Sequence, residues 1–143
     1  NRKKVDEKDL YKLVNLTENH NISELIDYCL AKNQKKTLSI LNENIFTNED
    51  CVIITRTMLK KTKRLLKLVD DFNKNKNMAK TIENAAPPIF WKEKDITKQQ
   101  IDKWAHLNIR ELISDINNAE LMAKRIPMNS INLITNFLIE KSQ

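Results

Sequence analysis

An all-α fold, a helical bundle of about six or seven helices, is what this sequence predicts. Three observations predict it. Apolar residues recur at intervals of three and four through most of the 143 residues, the spacing that gathers them on one face of a helix. Breaks in that rhythm fall at prolines and asparagines. No stretch makes a convincing strand. "CVIITRT", residues 51–57, is β-branched enough to suggest one, but the helical seam continues through it.

The elements follow in order. "VDEKDLYKLV" reads as a short amphipathic helix capped by Asp6, and "NLTENHN" as a polar linker. Asn21 and Glu24 have the spacing of a capping box and open a helix to about Lys32, with Ile22, Leu25, Ile26, Cys29 and Leu30 apolar. A helix from about Gln34 to Asn44 is expected to bury Leu38, Ile40, Leu41 and the following Ile45. Thr47 and Asp50 cap the longest helix, to about Asn75. Its seam is Cys51, Ile54, Met58, Leu65, Val69 and Phe72, widened by Val52, Leu59 and Leu66. Such a helix serves as the spine of a bundle.

A short helix, about Met78 to Ala85, must stop at Pro87 and Pro88, because a residue before proline is pushed out of the α region. Ile89, Phe90 and Trp91 then load the extended break and are expected to pin it to the bundle. Thr97 and Gln100 read as a capping box for a helix through Trp104, whose indole is expected in the core. Asn108 and Glu111 open the next helix, with Ile109, Leu112, Ile113, Ile116, Ala119 and Ala123 apolar and Glu120 paired to Lys124. Pro127 breaks it, and a last helix runs from about Asn129 to Lys141.

The chain contains no glycine. Walker A loops, GxGxxG dinucleotide loops and GxSxG nucleophile elbows all require it, so none can occur here. Asn33, Asn44, Asn75 and Asn108 stand where helical patterns end and are the expected left-handed residues in its place. The two cysteines, Cys29 and Cys51, lie in apolar helical stretches and read as buried free thiols. His20 and His106 stand apart, without zinc spacing. Asp70 and Asp71 are adjacent, about 100° apart on a helix, a poor pair for acid–base work. The reading therefore assigns no catalytic residue, cofactor or metal.

With 31 % charged and 41 % hydrophobic residues, the composition is that of a soluble globular chain. No apolar run approaches the ~20 residues needed to span a bilayer. No secretory signal is expected, and the opening "NRKKVDEKDL", without methionine, suggests part of a longer protein. The net charge of +6 and pI near 9.3 allow contact with nucleic acid. Arg56, Lys60, Lys63 and Lys67, at offsets of four, three and four, form one basic stripe on the long helix. A solvated helix face is the plainer reading; DNA phosphates or acidic surfaces of neighbouring subunits are the alternatives. Phe90, Trp91 and Trp104 could stack on single-stranded bases, though their apolar setting favours packing. Any DNA binding is expected to be weak, indifferent to sequence and steeply salt-dependent.

The last helix has two apolar rows, Ile131, Ile134 and Leu138 beside Leu133 and Phe137. Together they cover roughly 160°, where a helix capping its own core needs about 100°. Either the helix is enclosed, or Leu133 and Phe137 form a subunit interface that is partly exposed in isolation.

The order of parts resembles the C-terminal collar domain of the delta-subunit family of the bacterial DNA polymerase III clamp loader. The parts are a helix pair, the basic helix "ITRTMLKKTKRLLKL", a short helix, "PPIFWKEK", the tryptophan-bearing "QQIDKWAHL", then "AELMAKRIP" and a final apolar helix. Pro87, Pro88, Phe90, Lys92, Trp104, Glu120 and Lys124 occupy places of that pattern, while the usual glycine before the last helix is missing. The resemblance implies that residues 21–143 are a collar, or oligomerisation, domain and that residues 1–20 are the tail and linker of a preceding ATPase-like lid domain. It implies partners of the gamma/tau and delta-prime type, a sliding clamp met through regions outside this chain, a cytoplasmic bacterial setting, and no chemistry here. The parent would belong to the DNA polymerase holoenzyme. A free-standing helical nucleic-acid-binding module is the alternative.

Overall fold

A computed structural model describes residues 7–143, with side chains from residue 19 onward. Seven α-helices follow one another: α1 (Glu7–Leu30), α2 (Gln34–Glu43), α3 (Cys51–Asn75), α4 (Met78–Glu83), α5 (Lys94–Trp104), α6 (Ile109–Arg125) and α7 (Ser130–Lys141). Single 3-10 turns at Asn48–Asp50, Trp91–Glu93 and Pro127–Asn129 lead into α3, α5 and α7. Among the described residues there is no strand, so the chain is an all-α bundle.

α3 is the spine, as its length and seam imply, and touches α1, α4, α5, α6 and α7. Cys51, Ile54, Met58, Leu65 and Val69 of its seam are buried. They meet Ile22, Leu25, Ile26, Cys29 and Leu30 of α1, Ile101 and Trp104 of α5, Ile109, Leu112 and Ile116 of α6, and Ile134 and Leu138 of α7 in one core. The second row is only half-buried at Leu59 and Leu66 and is exposed at Val52. The difference is geometric: the packed neighbours cover one stripe of α3, and residues one position off it meet the edge of that cover.

Several expected boundaries are corrected. α1 is continuous through residues 15–21, where a linker and an Asn21 capping box were expected. Asn21 instead donates from Nδ2 to Asn44 Oδ1 at 2.9 Å, tying α1 to the end of α2. The Asp6 cap lies outside the described residues. Thr97 is no cap either, since the 3-10 turn at Trp91–Glu93 starts α5 earlier. Its hydroxyl donates back to the Glu93 carbonyl at 2.7 Å, the usual recourse of a threonine inside a helix. Thr47 and Asp50 do form the capping box, with the Thr47 N–H donating to Asp50 Oδ2 at 2.8 Å. Asn108 caps α6 by accepting from the Glu111 N–H at 3.1 Å.

None of the four asparagines is left-handed. Lys32 and Lys76, both at φ 57°, take that conformation. Asn33 and Asn108 cap the starts of α2 and α6, Asn44 is extended, and Asn75 stays within α3. A left-handed lysine costs roughly 1–2 kcal/mol, and Lys32 has long-range contacts to offset it. Its Nζ donates to the carbonyls of Lys141 and Gln143 at 3.3 and 3.2 Å and lies 4.5 Å over the Trp104 ring. Ile45, expected in the core, is 93 % exposed because α2 ends at Glu43 and the extended Asn44 turns the next side chain outward.

Candidate functional site

Among the described residues no group of three or more His, Cys, Asp or Glu is placed to hold a metal ion. Both cysteines are free and buried. Burial pushes the Cys29 thiol up to about 12, and its Sγ–H donates to the Leu138 carbonyl at 3.4 Å. It is a packed thiol, not a nucleophile. Asp70 faces Arg110 at 3.9 Å across two exposed side chains. Three surfaces carry what remains of the candidate chemistry.

The first is the basic stripe. Arg56, Lys60, Lys63 and Lys67 are all exposed on α3. Lys60, Lys63 and Lys67 line a groove of about 730 Å³ between α3, the second half of α1 and the stretch from Ala86 to Gln100. Arg56 lies outside it. Lys61 and Arg64, absent from the stripe as read from spacing, join the groove wall. Lys61 Nζ pairs with Asp27 Oδ1 at 2.8 Å, and Arg64 donates to the Pro87 carbonyl. Burial raises the Asp27 carboxyl above its ordinary value, with Lys61 pulling against that shift. Gln100 donates to the Asp27 backbone carbonyl at 2.9 Å and closes the end of the groove.

The second is the proline break. Ala86–Pro87 is a cis peptide, and both prolines are exposed. Ile89 is buried, 8 % exposed, but Phe90 is 55 % and Trp91 69 % exposed. The three residues do not pin the segment together. An extended chain sends alternate side chains to opposite sides, so when Ile89 points inward, Phe90 points out, and the 3-10 turn then carries Trp91 outward as well. The two exposed rings touch each other, centroids 5.9 Å apart, and Lys92 Nζ lies 5.4 Å from the Trp91 ring centre. Trp104 does belong to the core, 5 % exposed.

The third is the outer face of α6 and α7. Ile134 and Leu138 are buried, whereas Leu133 and Phe137 are half-buried. They border a shallow depression of about 570 Å³ with Met122 of α6 and Ile126 just beyond its end, both exposed. Leu121 and Met128 add further exposed apolar surface. Sequence reasoning missed these four. Their signal was present, since Leu121 and Met122 are large apolar residues off the inward row of α6.

Searched against protein-family models, curated proteins and solved structures, the chain matches none.

Proposed function

We propose that this chain is the collar domain of a clamp-loader delta subunit, an assembly module that holds its parent in a ring of subunits. The ring opens a sliding clamp and places it on primed DNA. ATP hydrolysis belongs to the partners, and this domain contributes no chemistry of its own. The order of helices and of the "PPIFWKEK" and "AELMAKRIP" segments supports the reading. The observation that carries it is the α6–α7 face, where Leu133 and Phe137 are only partly buried, beside the exposed Met122 and Ile126. Large apolar side chains left uncovered together, here among the polar residues of the same depression, suit a protein contact.

Co-purification with ATPase subunits of the gamma/tau and delta-prime type tests the reading. Phe137→Asp should keep the helical circular dichroism spectrum and weaken the complex. Met122→Asp, at an exposed position, guards against the first variant merely unfolding. Normal assembly by a folded Met122→Asp protein, or no complex with the native chain, would overturn the proposal.

A further inference from the structure

The α3 groove carries cations that have no acidic partner among the described residues. Lys60, Lys63 and Lys67 stand in a row on one wall, and among the described residues none has a carboxylate within ion-pair distance. Lys61, their neighbour, does have one in Asp27 at 2.8 Å. Like charges three and four residues apart destabilise a helix, so the row costs the folded chain something. The acids in the groove are few. Asp27 is paired with Lys61 and Glu93 sits on the opposite wall, while Asp71, one turn beyond Lys67, lies outside the groove. At 1.5 Å per residue, Lys60 to Lys67 spans about 10.5 Å. That is a track for an extended polyanion.

The rest of the groove says which polyanion. Leu65, Leu68 and Ile89, all buried, and the half-buried Ile96 form apolar lining beside the cationic wall. Trp91 is not itself part of the groove lining, but it lies two residues from Ile89 and two from Glu93, which are, and its ring is mostly bare to solvent. Cations that follow a backbone, with apolar and aromatic surface beside them, suit unpaired nucleotides, whose bases are free to stack. A duplex keeps its bases inside and would use only the lysines.

We propose that this groove binds single-stranded polynucleotide, with Lys60, Lys63 and Lys67 on its phosphates and Trp91 against a base. The assignment does not rest on the collar reading. The groove shares no lining residue with the α6–α7 depression, so failures of the two are distinguishable.

Fluorescence anisotropy with labelled oligo-dT and oligo-U of about 16 nucleotides, the upper site size of a single binding fold, tests it against a duplex of equal length and a polyglutamate peptide. Both single strands should bind, more tightly than the duplex or the peptide. Three phosphate contacts give a log–log salt slope near −2, at about −0.7 per contact. Lys63→Ala with Lys67→Ala should reduce that slope to near −0.7, while Lys74→Ala with Lys80→Ala, outside the groove, leaves it unchanged. Trp91→Ala should weaken single-strand binding about 5- to 150-fold, the loss that removing one stacked base entails. Because Trp104 is buried, quenching of tryptophan emission on binding reports Trp91. All these side chains are exposed, and circular dichroism checks that each variant is folded. Duplex binding as tight as single-strand binding, or indifference to both the lysine pair and Trp91, would overturn the proposal. Preference for polyglutamate would overturn it in favour of an acidic protein partner.

Discussion

The indole N–H of Trp104 donates to the backbone carbonyl of Leu30 at 2.8 Å. Leu30 is the last residue of α1, so its carbonyl has no partner within that helix. Trp104 thus fills the core and caps α1 from another element. Trp104→Ala should cost about 3–5 kcal/mol in denaturant melts. Trp104→Phe keeps much of the apolar volume but strands the carbonyl, and should cost about 1–3 kcal/mol. A loss well under 1 kcal/mol for the alanine variant would place the ring at the surface.

The proline segment divides sharply by residue. Ile89→Ala removes a buried side chain and should cost about 2–5 kcal/mol. Phe90→Ala and Trp91→Ala should each stay within about 0.5 kcal/mol of the native chain. Acrylamide quenching should be strong in the native protein and weak in Trp91→Ala, which retains only the buried Trp104. Equal destabilisation at all three positions would mean that the segment packs as one block.

Asp27 should leave a signature in the pH dependence of stability. Burial holds its carboxyl above the ordinary 3.8, outweighing the pull of Lys61. The folded state therefore binds this proton more tightly than the unfolded chain does. The stability that follows is fully present below about pH 3.8 and is lost as pH rises through the folded-state value. Asp27→Asn abolishes the titration. The stability of the native chain relative to Asp27→Asn, from urea melts between about pH 3 and pH 7, should fall as pH rises. A relative stability that grows with pH would show the Lys61 attraction winning.

Thr62 presents a smaller but cleaner case. It is fully enclosed on α3, and its Oγ1 has no hydrogen-bond partner among the described residues. Thr55, two turns earlier, satisfies its hydroxyl by donating to the Cys51 carbonyl at 3.0 Å. Thr62→Val keeps the branched shape and deletes the unpaired group. It should raise stability by about 1 kcal/mol, seen as a higher denaturant midpoint at unchanged slope. A lower midpoint would reveal a partner for the hydroxyl.

Local rules in the sequence were enough for the helical class, the α3 spine, the capping at Thr47 and Asn108, and the burial of Trp104. Each depends on residues a few positions apart, where apolar spacing and side-chain-to-backbone reach decide the outcome. The basic stripe was legible for the same reason, since offsets of three and four fix a shared helix face. Tertiary structure decided the rest. The groove around Lys60, Lys63 and Lys67 exists only because Pro87, Ile89 and Gln100, remote in sequence, pack opposite α3. Lys32 takes the left-handed position that Asn33 was expected to fill, held by carbonyls more than a hundred residues away. Asn48 Oδ1 accepts from the Ile131 N–H at 2.9 Å and helps start α7 from 83 residues away in the chain. Phe90 and Trp91 are apolar and near the bundle, yet point outward, because the one inward direction of that short extended stretch belongs to Ile89. A sequence pattern gives the side chains that can be buried; which of them finds a covering surface depends on what the rest of the chain brings to that place.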